Sequence, residues 1–252
     1  FDKAFILHQS CRYALLCKLA GIKNILGYGR NFQFLFLSPL IFNKNFFNKN
    51  FNIYEEAIHF TKMITNNKEF KRNAEIIITN KEKEDFNIKY KFIKNKNIII
   101  GIGGSGPTVK WPIENWITLI DYLNKNFTTN FIIAGGKNEE VEFNLIKEKL
   151  RIDNIFSLCN LNIREAIVGM SFGKFFIGND SGMHHLAASI GIDTLVLIGS
   201  TPLNYTKYST FMNQIIPDGY QDVSHSSNAM KNISTNNVIK KIENINLIKK
   251  LF

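Results

Sequence analysis

Cysteine is scarce in this chain of 252 residues: Cys11, Cys17 and Cys159 are the three, and none stands in a CxxC or other metal-ligand spacing. Sparse, unpatterned thiols fit a reducing compartment and argue against a disulfide scaffold or a zinc module. No stretch approaches the roughly 20 consecutive apolar residues that span a bilayer. The first residues carry no basic–apolar–small pattern of a secretory leader. No G-x-S-x-G elbow surrounds a serine, and no ordered Ser-Asp-His set is apparent, so nucleophilic hydrolase chemistry is not indicated. Acidic side chains are few in the first part: residues 1–95 hold 16 basic and 8 acidic groups, a net of +8, whereas the whole chain carries +10. That imbalance favours an anionic partner. Biased composition, rich in Lys, Asn, Ile and Phe, accounts for it equally well.

What is present is a regular alternation. Residues 3–8 and 25–28 read as short strands around a helix over roughly 11–20, capped by Ser10 and closed by Gly21. A helix is expected at 53–66 and a strand at 74–78, while 30–50 has no clean period. The charged run 80–97 reads as a linker. Beyond it, apolar strands near 97–100, 131–134, 155–158, 175–178 and 194–198 alternate with helices near 112–123, 139–150, 162–170 and 182–190. Continuous apolar strands between amphipathic helices predict an α/β fold with a parallel sheet covered on both faces. The tail 234–248 places Val238, Ile239, Ile242 and Ile245 on one helical stripe.

Ligands of such sheets bind beyond the carboxyl ends of the strands, where three loops stand out. The first is the glycine-rich run 101–112, with Ser105, Thr108 and Lys110. Its backbone could approach a phosphate that Lys110 neutralises, or it could be a purely structural turn. It is read neither as a Walker loop, since the Lys-Ser/Thr ending is absent, nor as a dinucleotide fingerprint. Trp111 and Trp116 are taken as packing residues. In the second loop, Gly135-Gly136 precedes Glu139 and Glu140, carboxylates that could hold a ribose diol. On chemistry alone they more simply favour a helix start. The third, Asn179-Asp180-Ser181-Gly182-Met183-His184-His185, joins a buried strand to a helix. Its free N–H groups suit a diphosphate, although Asp180 or Ser181 could just cap the helix. His184 and His185 point in directions about 100° apart on a helix, and adjacent histidines without a partner motif make a poor metal pair. His8, His59 and His225 have no motif around them.

Asp180-Ser181-Gly182-x-x-His185-Leu186-Ala187-Ala188 resembles the signature of the ADP-heptose:lipopolysaccharide heptosyltransferases, glycosyltransferase family 9. Lys110-Trp111-Pro112 with Glu114 and Trp116, Gly135-Gly136 with Glu139, and Met230 to Ser234 with Val238 are similar to further segments of that family. Residues 1–22 resemble the middle of its first domain. The resemblance implies a GT-B fold of two Rossmann-like domains with parallel sheets, the first incomplete. The expected divisions are 1–95 on the acceptor side, 96–233 on the donor side, and a C-terminal helix in 234–252. It implies transfer of a heptose or related sugar from an ADP-sugar to a lipid-linked core glycan, with inversion and without metal or other cofactor.

By position, Lys110 and Asp180 take the catalytic roles. Ser105, Thr108, Lys110, Glu139, Asp180, Ser181, Gly182 and His185 bind substrate, with His184 secondary. The resemblance places the catalytic base in a Gly-Asp loop before Phe1, so an inactive or truncated nucleotide-sugar-binding homologue is the alternative. Where many relatives carry cysteines, residues 218–229 hold none, which speaks against a metal or redox role there. A cytoplasmic protein follows, peripheral on an anionic inner-membrane surface if the basic first part engages lipid. No nucleic-acid module is recognisable.

Overall fold

The computed structural model describes residues 1–38, 53–65, 73–91, 96–206 and 208–244. The chain divides into two compact units, Phe1–Lys71 and Arg72–Phe252.

In the first unit, β1 (Lys3–Ile6) and β2 (Asn24–Gly27) pair in parallel, Lys3 opposite Asn24 and Ile6 opposite Gly27. They are linked through α1 (Cys11–Leu19). The Ser10 side chain accepts from the Arg12 N–H at 3.3 Å, and Gly21 closes the helix at φ +78°, where a side chain would be strained. Helix α2 (Ile53–Thr65) contributes Phe60, which packs with Leu26 and Tyr28.

The second unit contains α3 (Asn80–Tyr90), β3 (Asn97–Gly101), α4 (Ile113–Asn126), β4 (Asn130–Ala134) and α5 (Glu140–Leu150). There follow β5 (Ile155–Ser157), α6 (Ile163–Met170), β6 (Gly173–Asn179), α7 (Gly182–Ser189), β7 (Asp193–Leu197), β8 (Met212–Ile215) and α8 (Thr235–Asn244). Its six strands run parallel in the order β5-β4-β3-β6-β7-β8. Strand alternation assigns the two faces. Ile98, Ile100, Phe131, Ile133, Phe175 and Ile177 pack against α4, α5 and α8. Ile99, Ile132 and Phe176 meet α3, α6 and α7 on the other side. Such two-sided burial is what keeps the strand sequences apolar throughout.

Some of the expectations need correction. Within the run 80–97, expected as a linker, Asn80–Tyr90 form a helix. Thr79 and Glu82 form a reciprocal cap, and the Thr79-initiated helix α3 buries Phe86 against α6. Its lysines outweighed its one buried side chain, Phe86, and the partly buried Tyr90 beside it. The two compact units divide after Lys71, ahead of this helix. Residues 74–78 form no strand; the Ile76 N–H donates to the Ser189 carbonyl at 2.9 Å, tying the segment to the end of α7. Strand β8, with polar Asn213 and Gln214 at its centre, escaped the sequence pattern. Most of 30–50 and the end of the expected tail helix lie outside the described residues.

Candidate functional site

The strand order reverses between β3 and β6: the chain moves outward from β3 through β4 to β5, then returns to β6 and leaves the other way. At that switch point the two crossovers diverge and leave a crevice beyond the strand ends, the general ligand position of such sheets. The loop after β3 and the loop after β6 flank it.

Asn179 joins those two loops. It is fully buried, its Nδ2 donates to the carbonyls of Ile102 (2.8 Å) and Gly103 (3.2 Å), and its Oδ1 accepts from the Trp111 N–H at 3.0 Å. Just below, Gly101 and Gly178 lie side by side on the paired strands, and a methyl group on either would overlap the Phe176 ring. Glycines 101, 103 and 106 do stand at the spacing of the dinucleotide fingerprint. In that fingerprint the glycines open a helix. Here a 3-10 turn (Pro107–Val109) intervenes and α4 begins only at Ile113, so its N-terminus is not set at the glycine turn.

Lys110 and Glu139 come together from separate loops. The Lys110 ammonium contacts Glu139 at 2.8 Å and Glu142 at 2.9 Å. Burial alone would lower its pKa, but the hydrogen bonds and charges of the two carboxylates reverse the shift and raise it. The other Glu139 oxygen accepts the Gly136 N–H at 2.7 Å, which fixes the carboxylate across the Gly135-Gly136 turn. Glu142 was not foreseen; it lies three residues beyond Glu139, and that helical spacing was the available signal. Cys159 sits under the same turn, where burial pushes its thiol up to about 11 against the opposing Ser157 hydroxyl, so it stays protonated and unreactive. A cavity of about 570 Å³ adjoins Lys110, walled by Thr108, Trp111, Trp116, Glu142 and Lys231. Trp111 and Trp116 meet edge to face, and the Trp111 indole donates to the Ile233 carbonyl at 2.8 Å.

At the start of α7 the chain brings Asp180, Ser181, Gly182, His184 and His185 together. The Asp180 N–H donates to the Leu197 carbonyl at 3.2 Å, and its carboxylate accepts from the Thr201 hydroxyl. The Ser181 N–H donates to His184 Nδ1 at 3.1 Å. His184 is completely buried; that burial, with His185 alongside, holds its pKa well below the ordinary imidazole value. The neighbouring ring centroids are 3.8 Å apart. His185 is only partly buried, its pKa lowered by desolvation against the pull of Asp180. Its Nδ1 is 2.6 Å from the Tyr208 hydroxyl, with the two rings stacked.

Asp180, His184 and His185 also place one potential metal-ligand atom each within 4.8 Å of one another. A neutral His184 whose Nδ1 accepts a backbone N–H carries its proton on Nε2, however, and has no lone pair left to offer.

Ser105 and Thr108 are exposed on the first loop, and Ser200, after β7, donates to the Thr108 carbonyl at 2.8 Å. Gly199 beside it lies so close to the Met230 backbone that a Cβ would collide with it, which brings residues 229–231 onto the site's flank. Thr201 and Tyr208 were missed by sequence reasoning. Thr201 follows a strand exit, the position where ligand-facing residues gather; nothing in the sequence marks Tyr208.

The model of glycosyltransferase family 9 (heptosyltransferase) matches residues 1–242. The chain is 28% identical over 181 residues to lipopolysaccharide heptosyltransferase 1 of Campylobacter coli, covering 69% of this chain and 52% of that protein. It therefore spans about half the length of that curated relative. Among solved structures it is similar to the E. coli ADP-heptose lipopolysaccharide heptosyltransferase II, with a TM-score of 0.71 and 17% identity over 99% of this chain and 77% of that one. A family 9 glycosyl transferase from Veillonella parvula gives a TM-score of 0.74 and 18% identity, over 98% and 74% of the chains. The E. coli heptosyltransferase WaaC with ADP gives 0.72 and 16%, over 99% and 74%. These likenesses establish the α/β fold with parallel sheets shared with GT-B heptosyltransferases.

Proposed function

We propose, from the premise that this chain belongs to glycosyltransferase family 9, that it holds a nucleotide-sugar donor at the β3/β6 switch point and transfers its sugar in lipopolysaccharide synthesis. The observation that carries this reading is the meeting of Lys110 with Glu139 at 2.8 Å. A phosphate-neutralising cation and a ribose-binding carboxylate lie next to each other, as a nucleoside diphosphate requires. The donor class is an ADP-sugar, in line with the ADP-heptose and ADP named for the similar E. coli enzymes.

The chemistry follows from charge. Transfer with inversion needs in-line attack by an acceptor hydroxyl at the anomeric carbon, while negative charge grows on the departing diphosphate. Lys110 and the N–H groups that open α7 at Gly182, with the Ser181 hydroxyl beside them, are the groups that stabilise this charge. Asp180 cannot share that role, because a carboxylate repels a diphosphate. Held by Thr201, it is suited to accept hydrogen bonds from the sugar hydroxyls. Glu139 accepts the ribose diol. Ser105 and Thr108 line the phosphate loop, and His185 adds a further contact at the α7 turn. The acceptor is a lipid-linked core glycan, approached from the cytoplasmic side of an anionic membrane. No helix among the described residues is long and apolar enough to cross that membrane.

Isothermal titration with ADP tests the donor site. Wild type should bind, and Lys110→Ala should weaken binding by roughly 10- to 100-fold, the value of one charge-assisted hydrogen bond. An ADP-insensitive folded protein, or an unaffected Lys110→Ala variant, would refute the assignment.

A further inference from the structure

The pair His185–Tyr208 has a consequence beyond donor binding as such. The His185 imidazole is neutral near pH 7, because its pKa is lowered by burial. A neutral imidazole carries one proton, and the hydrogen bond at one nitrogen decides where it sits. Here the short contact, 2.6 Å, is between Nδ1 and a phenol. A phenolic hydroxyl is a strong donor and a poor acceptor, since its oxygen lone pair is drawn into the ring. The phenol therefore donates, Nδ1 accepts, and the imidazole proton is driven to Nε2.

We propose that Tyr208 is a positioning residue that fixes His185 as the Nε2–H tautomer, so that His185 serves the bound diphosphate as a hydrogen-bond donor and neither as a general base nor as a metal ligand. The stacking of the two rings, centroids 5.6 Å apart and planes 18° from parallel, holds the orientation as well as the tautomer. His184 falls into the same pattern, its Nδ1 occupied by the Ser181 N–H. With Nδ1 taken in both rings, the Asp-His-His cluster offers a cation no imidazole lone pair, and His185, the partly buried ring, is the one that presents an N–H to an anion. The role of the donated hydrogen bond rests on the nucleoside-diphosphate reading above; the tautomer does not.

The imidazole 15N resonances of the full chain, assigned to His185 by comparison with His185→Gln, read the tautomer directly and without ligand. Wild type should show a pyridine-like Nδ1 and a pyrrole-like Nε2. In Tyr208→Phe the distinction should collapse toward averaged shifts, and ADP affinity should fall about fivefold, the worth of one hydrogen bond. A pyrrole-like Nδ1 in the wild type overturns the proposal whether or not Tyr208→Phe folds. A pyridine-like Nδ1 that persists unchanged in a folded Tyr208→Phe removes Tyr208 from the role. If ADP fails to bind while the wild-type shifts are as expected and collapse in Tyr208→Phe, the tautomer assignment stands and the donor reading alone falls.

Discussion

Glu142 offers the sharpest test of how the site manages charge. Without donor, one ammonium faces two carboxylates, at 2.8 and 2.9 Å, so the Lys110 corner carries a net negative charge. An arriving diphosphate must draw Lys110 away from at least one of them. Glu139 has its other oxygen tied to the Gly136 N–H and is more buried, its side chain 10% exposed against 32% for Glu142. Glu142 is therefore the partner that yields. A partly exposed ion pair of this kind is worth about 0.2–1 kcal/mol after solvent screening, equivalent to roughly 1.4- to 5-fold in affinity at 25 °C. Glu142→Gln should tighten ADP binding by about that factor, and the gain should shrink as salt is raised because the competing pair is itself screened. The decisive comparison is the double-mutant cycle. In the Lys110→Ala background, Glu142→Gln should have much less effect, since the competition it relieves is gone. An equal gain in both backgrounds would mean that Glu142 acts by bulk charge alone, and weaker binding in the single variant would mean that it contacts the donor. Either result would refute the competition.

Two further outcomes concern stability. Asn179→Ala removes three hydrogen bonds and strands buried groups at Trp111, Ile102 and Gly103. It should cost about 2–4 kcal/mol and lower the melting temperature by roughly 5–15 °C; a melt within about 2 °C of wild type would refute the staple. Hydrogen bonding from Arg164, then from Thr79, lowers the Glu82 pKa from 4.5 to about 2. A carboxylate depressed in the folded state adds stability above its unfolded pKa and loses it as pH falls through the folded value. Melting temperature should consequently decline between pH 4.5 and 2, and Glu82→Gln should flatten that limb. Parallel curves for the two proteins would show the cap to be irrelevant to acid stability.

The strands around the site were legible because burial on both faces leaves an apolar run that nothing else explains: Ile98 to Ile100, Phe131 to Ile133 and Phe175 to Ile177. The loops at their ends then follow from the fold. Pairings across the chain were not legible, since sequence spacing carries no information about which loops meet. Asn179 was visible as part of a motif, but its bonds to residues 102, 103 and 111 were not. Helix α3 shows the opposite failure. Composition weighed its charges as solvated, whereas Glu82 and Lys89 are engaged by Arg164 and Glu165 on α6, and Phe86 alone supplies the buried anchor. His184 and His185 could be separated by helical geometry, but the environment that distinguishes them, Ser181 for one and Tyr208 for the other, is set by the tertiary fold.

The docking of α3 also bears on how this family could be recombined. A swap of donor modules between relatives would naturally be cut just before the first apolar strand, near residue 96. Such a graft would leave behind the helix that covers α6, the Ile76 tie to Ser189, and the carbonyl of Ile77 that receives Arg164. It would present a bare apolar strip where Phe86 had been, and α6 would lose its counter-charges. The compact unit begins at Arg72, so a polar, weakly patterned segment belongs to the heritable unit as firmly as the glycine loops do.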